Sequence, residues 1–279
     1  MFTTLISASE LAALPAAERV VLDCRFQLSD PDHGHHAYNK GHIPGAYYLN
    51  LDYNLSGAKT GRNGRHPLPE GQRLAVDLGT CGVTPGKQVV VYDDAGGMFA
   101  ARAWWLLRWL GHEAVAVLDG GLPAWLAIGG ELTRDVPRRH TQRYVSHPAL
   151  AQAVKADAVL ANLRDPDFVL VDARSPERYR GEGETLDPVG GHIPGALNRF
   201  FMRNMDEDGR FKDKDRLKQE WIALLGARDD WSEVVHQCGS GVTACVNLLA
   251  MEHAGLTGSR LYPGSWSEWC SDPTRPVER

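Results

Sequence analysis

At 279 residues the chain is long enough for one large or two ordinary domains, and 43% hydrophobic with 23% charged residues is globular composition, which excludes a disordered protein. The net charge of −5 comes from interspersed signs, so no basic surface points to nucleic acid and no polybasic cluster to a membrane surface. No apolar run approaches bilayer length, and "MFTTLISASELAALPAAERV" lacks the basic region and continuous apolar core of a signal peptide, so a cytoplasmic protein is expected.

In chain order, "VVLDCRF" (20–26) reads as a buried strand ending in an acid, and "HGHH" (33–36) as a loop of exposed histidines without zincin spacing. "GHIPGA" (41–46) suits a fixed turn feeding a buried strand, where His42 satisfies backbone groups. The stretch 89–125, "VVVYDDAGGMFAARAWWLLRWLGHEAVAVLDGGLPAW", alternates strand, glycine turn, helix and strand. "TRDVPRRHTQRYVSHPAL" (133–150) is polar, carries two prolines and keeps no period, so a boundary belongs there.

Beyond it the pattern starts again. "VLVDARS" (169–175) repeats the first strand, "GHIPGA" returns at 191–196 with His192, and "EVVHQCGSGVTACVNLLAMEHAGLTGSRLYPGSWSEW" (233–269) matches 89–125. In that register Gly97 falls on Gly241, Trp125 on Trp269 and Asp94 on Cys238. The chain is therefore two copies of one α/β unit, each expected to hold a parallel sheet with helices on both faces. Domains are expected at 1–135 and 151–279, joined by a linker at 136–150.

The five cysteines, Cys24, Cys81, Cys238, Cys245 and Cys270, are odd in number, scattered and without a C-x-x-C pair, which argues against a disulfide framework, a zinc ribbon or a dithiol motif. Cys238 differs from the rest. It ends the strand "VV" at 234–235 and opens a turn in which Gly239 and Gly241 let backbone N–H groups point inward ahead of a helix starting near Ala244. Such a nest favours thiolate over thiol, and a thiolate can attack sulfur, hold it as a persulfide and release it to another thiophile. Ser240 and Thr243 can add hydroxyl donors. The other four cysteines read as structural.

The duplication, the paired "GHIPGA" boxes, "CGSGVT" and "GSWSEW" together resemble the two-domain rhodanese family of sulfurtransferases over essentially the whole chain, and the loop "CGSGVTA" looks like its 3-mercaptopyruvate sulfurtransferases. The resemblance implies about five parallel strands in each domain, a persulfide on Cys238 and no catalytic cysteine in the first domain. It also implies that Asp52 and His66 work with Ser240 as a proton relay, and that Arg178 binds the substrate carboxylate. The family's second arginine has no counterpart, Asp187 standing near that place, so Arg180 or Arg174 is left to substitute, with Arg174 better read as structural. Gly239, Gly241, Val242 and Thr243 are expected to line the substrate.

The expected reaction moves sulfur from a small anionic donor to a thiol such as thioredoxin or a low-molecular-weight thiol, or to cyanide, with no metal and no organic cofactor. A cysteine phosphatase needs an arginine closing the loop, where this chain has Ala244. A redox sensor or persulfide carrier gains nothing obvious from a second domain or from Arg178.

Overall fold

The computed structural model describes residues 1–140 and 142–279, which cluster into two compact units. Met1–Gly57, Leu68–Leu150 and Glu207–Phe211 form the first; Ala58–Pro67, Ala151–Asp206 and Lys212–Arg279 form the second. Among the described residues no helix is long and apolar enough to cross a membrane.

The first unit runs β1 (Leu5–Ile6), α1 (Ala8–Ala13), β2 (Arg19–Asp23), α2 (His33–Lys40), β3 (Ala46–Tyr48), α3 (Gly71–Thr80), β4 (Gln88–Tyr92), α4 (Met98–Trp109), β5 (Val115–Leu118) and α5 (Gly121–Ala127). Its five strands are all parallel, in the order β1-β5-β4-β2-β3. The strands are near-continuous runs of Val, Leu and Ala because both faces are covered by helices. On one face Val21, Val90, Tyr92, Ala116 and Leu118 pack with Leu11, Leu122 and Trp125. Helix α1 begins at a capping box, with Glu10 N–H on Ser7 Oγ and Ser7 N–H on Glu10 Oε2.

The second unit runs α6 (Ala156–Asn162), β6 (Val169–Asp172), α7 (Pro176–Tyr179), β7 (Leu197–Asn198), α8 (Lys214–Leu225), β8 (Val234–Gln237), α9 (Ala244–His253), β9 (Arg260–Leu261) and α10 (Ser265–Trp269). Its sheet has four parallel strands, β7-β6-β8-β9, rather than five. At the fifth position the chain makes only one parallel bridge, Ala153 to Leu261, carried by Val154 N–H to Leu261 C=O and Leu261 N–H to Gln152 C=O. Two bonds are too few to extend into a ladder.

Three details differ from expectation. "HGHH" opens helix α2 rather than a loop, because Gly34 and Tyr38, one turn apart, face inward while His35 and His36 stay exposed. Of residues 136–150, expected as a linker, the described ones run along the first unit: His140 N–H bonds Thr80 C=O, Tyr144 N–H bonds Ala75 C=O, and Tyr144 is buried. Third, the copies are offset by one residue from the match made through the glycines. Asp23 stands opposite Tyr92 and Asp172 opposite Gln237, so the residue after each strand, Asp93 or Cys238, is the matched pair. Asp94 is exposed. The first turn carries two left-handed glycines, Gly96 (φ 72°) and Gly97 (φ 78°), and Gly96 is the one that keeps the spacing from the strand end seen for Gly241 (φ 75°), so aligning Gly97 on Gly241 slips the strands.

Asp93 shows what this turn is built to hold. Its buried carboxylate accepts N–H bonds from Ala95, Gly97, Phe99 and Ala100, each at 2.9 Å, at the N-terminus of α4. Asp93→Ala would leave these donors unpaired and is expected to cost at least about 2 kcal/mol of first-unit stability. A urea midpoint unchanged from the parent protein would refute this.

Candidate active site

Cys238 lies at the carboxyl end of β8, a central strand of its sheet, where parallel α/β architectures place their ligands. The turn that follows is pinned from the side of α10. Cys238 N–H donates to Ser265 Oγ at 3.1 Å, Trp266 N–H to Cys238 C=O at 3.0 Å and Ser267 N–H to Gly239 C=O at 2.9 Å. Ser265 holds a left-handed φ of 56°, strained for a residue with a side chain, and its hydroxyl donates to Tyr262 C=O at 2.9 Å. In the first unit glycine, Gly121, takes that place (φ 58°).

Gly241 is obligatory on two counts: its φ is left-handed, and a Cβ there would lie 2.3 Å from the Pro263 carbonyl oxygen. Val242 and Thr243 accept N–H bonds from Cys245 and Val246, so they form the first turn leading into α9. Val242 is buried and Thr243 half-buried.

Ser240 and His66 meet: His66 Nδ1 is 2.7 Å from Ser240 Oγ, and both side chains are buried. His66 reaches the loop because the segment Ala58–Pro67, although it precedes α3 in sequence, belongs to the second unit. Asp52 belongs to the first unit, in a turn where its own N–H and that of Tyr53 donate to Asn50 Oδ1.

Arg178 stands in α7, whose start is set by Ser175 as cap and Pro176 in the first turn. Its guanidinium binds Glu184 through Nε (3.2 Å) and Nη2 (2.8 Å), and Nη2 also lies 3.4 Å from Asp187 Oδ2. Nη1 turns toward the loop, 3.4 Å from where a Cβ on Gly239 would sit. Burial pushes the Glu184 carboxyl up, but the Leu186 N–H and Arg178 outweigh it and hold it below its ordinary range. Asp187 goes the other way, raised by burial against the pull of Arg65.

Arg180, expected as a substrate ligand, is instead an exposed side chain paired with Glu182 at 2.8 Å. Two residues beyond Arg178 on a helical turn, it faces away from the side that meets the loop. Arg174 is buried, binds Asp172 at 2.6 Å, donates to Gly191 C=O at 2.8 Å and lies over the Trp266 ring. The first unit repeats this device as Arg25, Asp23 and Gly41 C=O, which marks it as structural.

The remaining candidates stay in the framework. Cys24, Cys81, Cys245 and Cys270 are buried and stand outside any disulfide among the described residues; burial pushes the thiols of Cys81 and Cys270 up to about 11 and raises that of Cys24 as well. His42 and His192 stack on Tyr38 and Tyr179 and bond those residues' carbonyls at 2.9 Å. Trp266 and Trp269 are fully buried beneath the turn. Sequence reasoning missed Ser265, Ser267 and Arg65. For Ser265 a signal existed, the replacement of Gly121 in the second copy; for Arg65 the only signal is adjacency to His66.

Comparison with known proteins agrees with this geometry. The family model of the rhodanese-like domain matches residues 7–128 and again 155–272. A relative from Pseudomonas aeruginosa, named a probable 3-mercaptopyruvate sulfurtransferase, is 48% identical across 98% of this chain and 97% of its own. The thiosulfate sulfurtransferase of Bos taurus is 32% identical over 96% of this chain and 92% of its own. The crystal structure of SseA from Escherichia coli, described as a 3-mercaptopyruvate sulfotransferase with the rhodanese fold, superposes with a TM-score of 0.81 at 31% identity, covering 95% of this chain and 99% of that one. Two matched domains, a full-length likeness to named enzymes and a shared α/β fold lead to one conclusion: the chain belongs to the rhodanese family and is a sulfurtransferase built from two tandem rhodanese-like domains.

Proposed function

We propose that this sulfurtransferase takes sulfur from 3-mercaptopyruvate, carries it as a persulfide on Cys238 and releases pyruvate. The observation that carries the reading is the composition of the loop. Gly239 and Ser240 offer no side-chain cation of their own, while the Arg178 guanidinium lies against Gly239, the residue after Cys238, and can serve as the carboxylate's partner. The copy at 151–279 is the catalytic domain in this reading, and the copy at 1–135, which has Asp93 where Cys238 would stand, is not.

In the first half-reaction the Cys238 thiolate attacks the donor sulfur. A new S–S bond forms, the C–S bond breaks, and its electron pair leaves on carbon as the enolate of pyruvate. Protonation of that carbon through Ser240 and His66 completes pyruvate. The thiol proton of the donor stays with the outer sulfur of the persulfide. In the second half-reaction an acceptor thiolate, from thioredoxin or a small thiol, or cyanide attacks that outer sulfur and returns the Cys238 thiolate.

Cys238→Ser is expected to fold normally and lose sulfur transfer, because a hydroxyl is not made a comparably soft nucleophile by the same turn; appreciable turnover by the folded variant sinks the mechanism. Donor preference is read by steady-state comparison of mercaptopyruvate and thiosulfate. A higher kcat/KM for thiosulfate replaces the present reading with a thiosulfate sulfurtransferase, and turnover of neither donor leaves a persulfide carrier.

Arg178→Lys keeps the charge and loses the fork, and is expected to lower kcat/KM for mercaptopyruvate about ten-fold to a hundred-fold. An unchanged value removes Arg178 from the substrate site.

A further inference from the structure

The carboxylate that ends β2 in the first unit is shared. Asp23 binds Arg25 at 2.6 Å and accepts the Tyr92 hydroxyl on Oδ2 at 2.6 Å, while the same hydroxyl accepts the Ile43 N–H at 3.3 Å. A single phenol oxygen thus joins β2, β4 and the "GHIPGA" turn. The second unit keeps every participant except that oxygen. Asp172 binds Arg174 at 2.6 Å, Ile193 stands in the second "GHIPGA", and Gln237 is opposite Asp172 where Tyr92 is opposite Asp23.

Gln237 reaches less far than tyrosine and makes no replacement bond. Its side chain is fully buried, and neither Nε2 nor Oε1 has a partner among the described residues. The N–H of Ile193, itself fully buried, has no acceptor among them either. Gln237 points to the same face of the sheet as Val235, two residues earlier, and that face is packed by Ile193, Tyr262 and Trp266. On the β9 side of Gln237 the register sets Tyr262 where the first unit has Leu118, so the larger ring fills that side. The space released by exchanging tyrosine for glutamine is therefore on the side of Asp172 and Ile193. Orphaned polar groups in a protein interior are rare, and ordered water meets them where the site offers two or more polar partners.

We propose that the second unit binds an internal water at the place of the Tyr92 oxygen. It accepts the Ile193 N–H, donates to Asp172 Oδ2 and shares a hydrogen bond with the Gln237 carboxamide. Gln237 is then a positioning residue: through the water it ties the end of β8, one residue before Cys238, to Asp172 and to the "GHIPGA" turn, as Tyr92 ties β4 directly. The site is independent of which sulfur donor the enzyme uses.

The test combines a crystal structure of the full-length enzyme with oxygen-17 relaxation dispersion, which counts long-lived internal waters, and amide exchange at Ile193. The expected crystal shows a solvent peak within hydrogen-bond reach of Asp172 Oδ2, the Ile193 nitrogen and Gln237. In Gln237→Tyr the phenol oxygen takes that place, so the peak and one long-lived water are lost while Ile193 keeps its protection. Gln237→Met, which is of similar length but has no hydrogen-bonding carboxamide, is expected to speed exchange at Ile193 about ten-fold. That rescue by tyrosine but not by methionine separates a bridging oxygen from simple packing. A carboxamide bonded directly to Asp172 with no solvent peak overturns the proposal, and so does an unchanged count of long-lived waters in Gln237→Tyr. Should Gln237→Tyr not fold beside Tyr262, the parent crystal and Gln237→Met decide: no peak, or Ile193 exchange at the parent rate, overturns it.

Discussion

The site depends on how the end of β8 is held. A strand that stops at a helix N-terminus presents N–H donors to whatever follows its last residue, and the turn keeps that form only if its own polar groups are occupied elsewhere. The start of α10 occupies them, through Ser265 Oγ on the Cys238 N–H and the N–H groups of Trp266 and Ser267 on the two carbonyls. The left-handed Ser265, costly for a residue with a side chain, places that hydroxyl. The buried Trp266 and Trp269 fix α10 in turn, so packing at the bottom of the unit sets the geometry at its top.

The first unit shows the same turn with another occupant. Asp93 fills it with a carboxylate that takes four N–H bonds from its own loop and helix, and nothing further has to enter for the donors to be paired. With a thiol side chain at the matched position, Cys238, the same kind of turn comes to hold a nucleophile. The buried Asp–Arg pair under each turn, Asp23 with Arg25 and Asp172 with Arg174, is common to both copies because it ties the first strand to the carbonyl of Gly41 or Gly191. Buried pairs of this kind fix geometry more than they add stability.

Much of this was legible in the sequence because it is periodic. The β–α alternation, the duplicated "GHIPGA" and the strand–glycine–helix form around Cys238 follow from local pattern, and each survives in the structure. What escaped is of two kinds. The one-residue slip between Asp94 and Asp93 arose because glycines mark turns but not where the preceding strand ends; pairing opposite Asp23 decides that, and pairing is long-range. Arg65 escaped because it lies 174 residues before Gly239, in a stretch without period that folds with the other unit. Arg180 failed for the opposite reason: two positions from Arg178 looks close in sequence, but a helical turn sends it to solvent and to Glu182.

The charges beside the loop explain why the cations can be so near Gly239 without closing the site. A guanidinium left alone would seek the nearest free acceptor oxygens. Glu184 and Asp187 instead hold Arg178 by one edge, and Asp187 holds Arg65, so each fork keeps an arm at the loop while its position is fixed before any anion arrives. Little side-chain entropy remains to be lost on binding, which is the usual source of affinity for a small ligand. The same arrangement limits how much negative charge is welcome, because every anion that enters meets two carboxylates a few ångströms behind the arginines. Glycine at 239 completes the logic: a larger residue would displace the Arg65 arm, so the loop can carry its own basic side chain or receive Arg65 from the segment before α3, but not both.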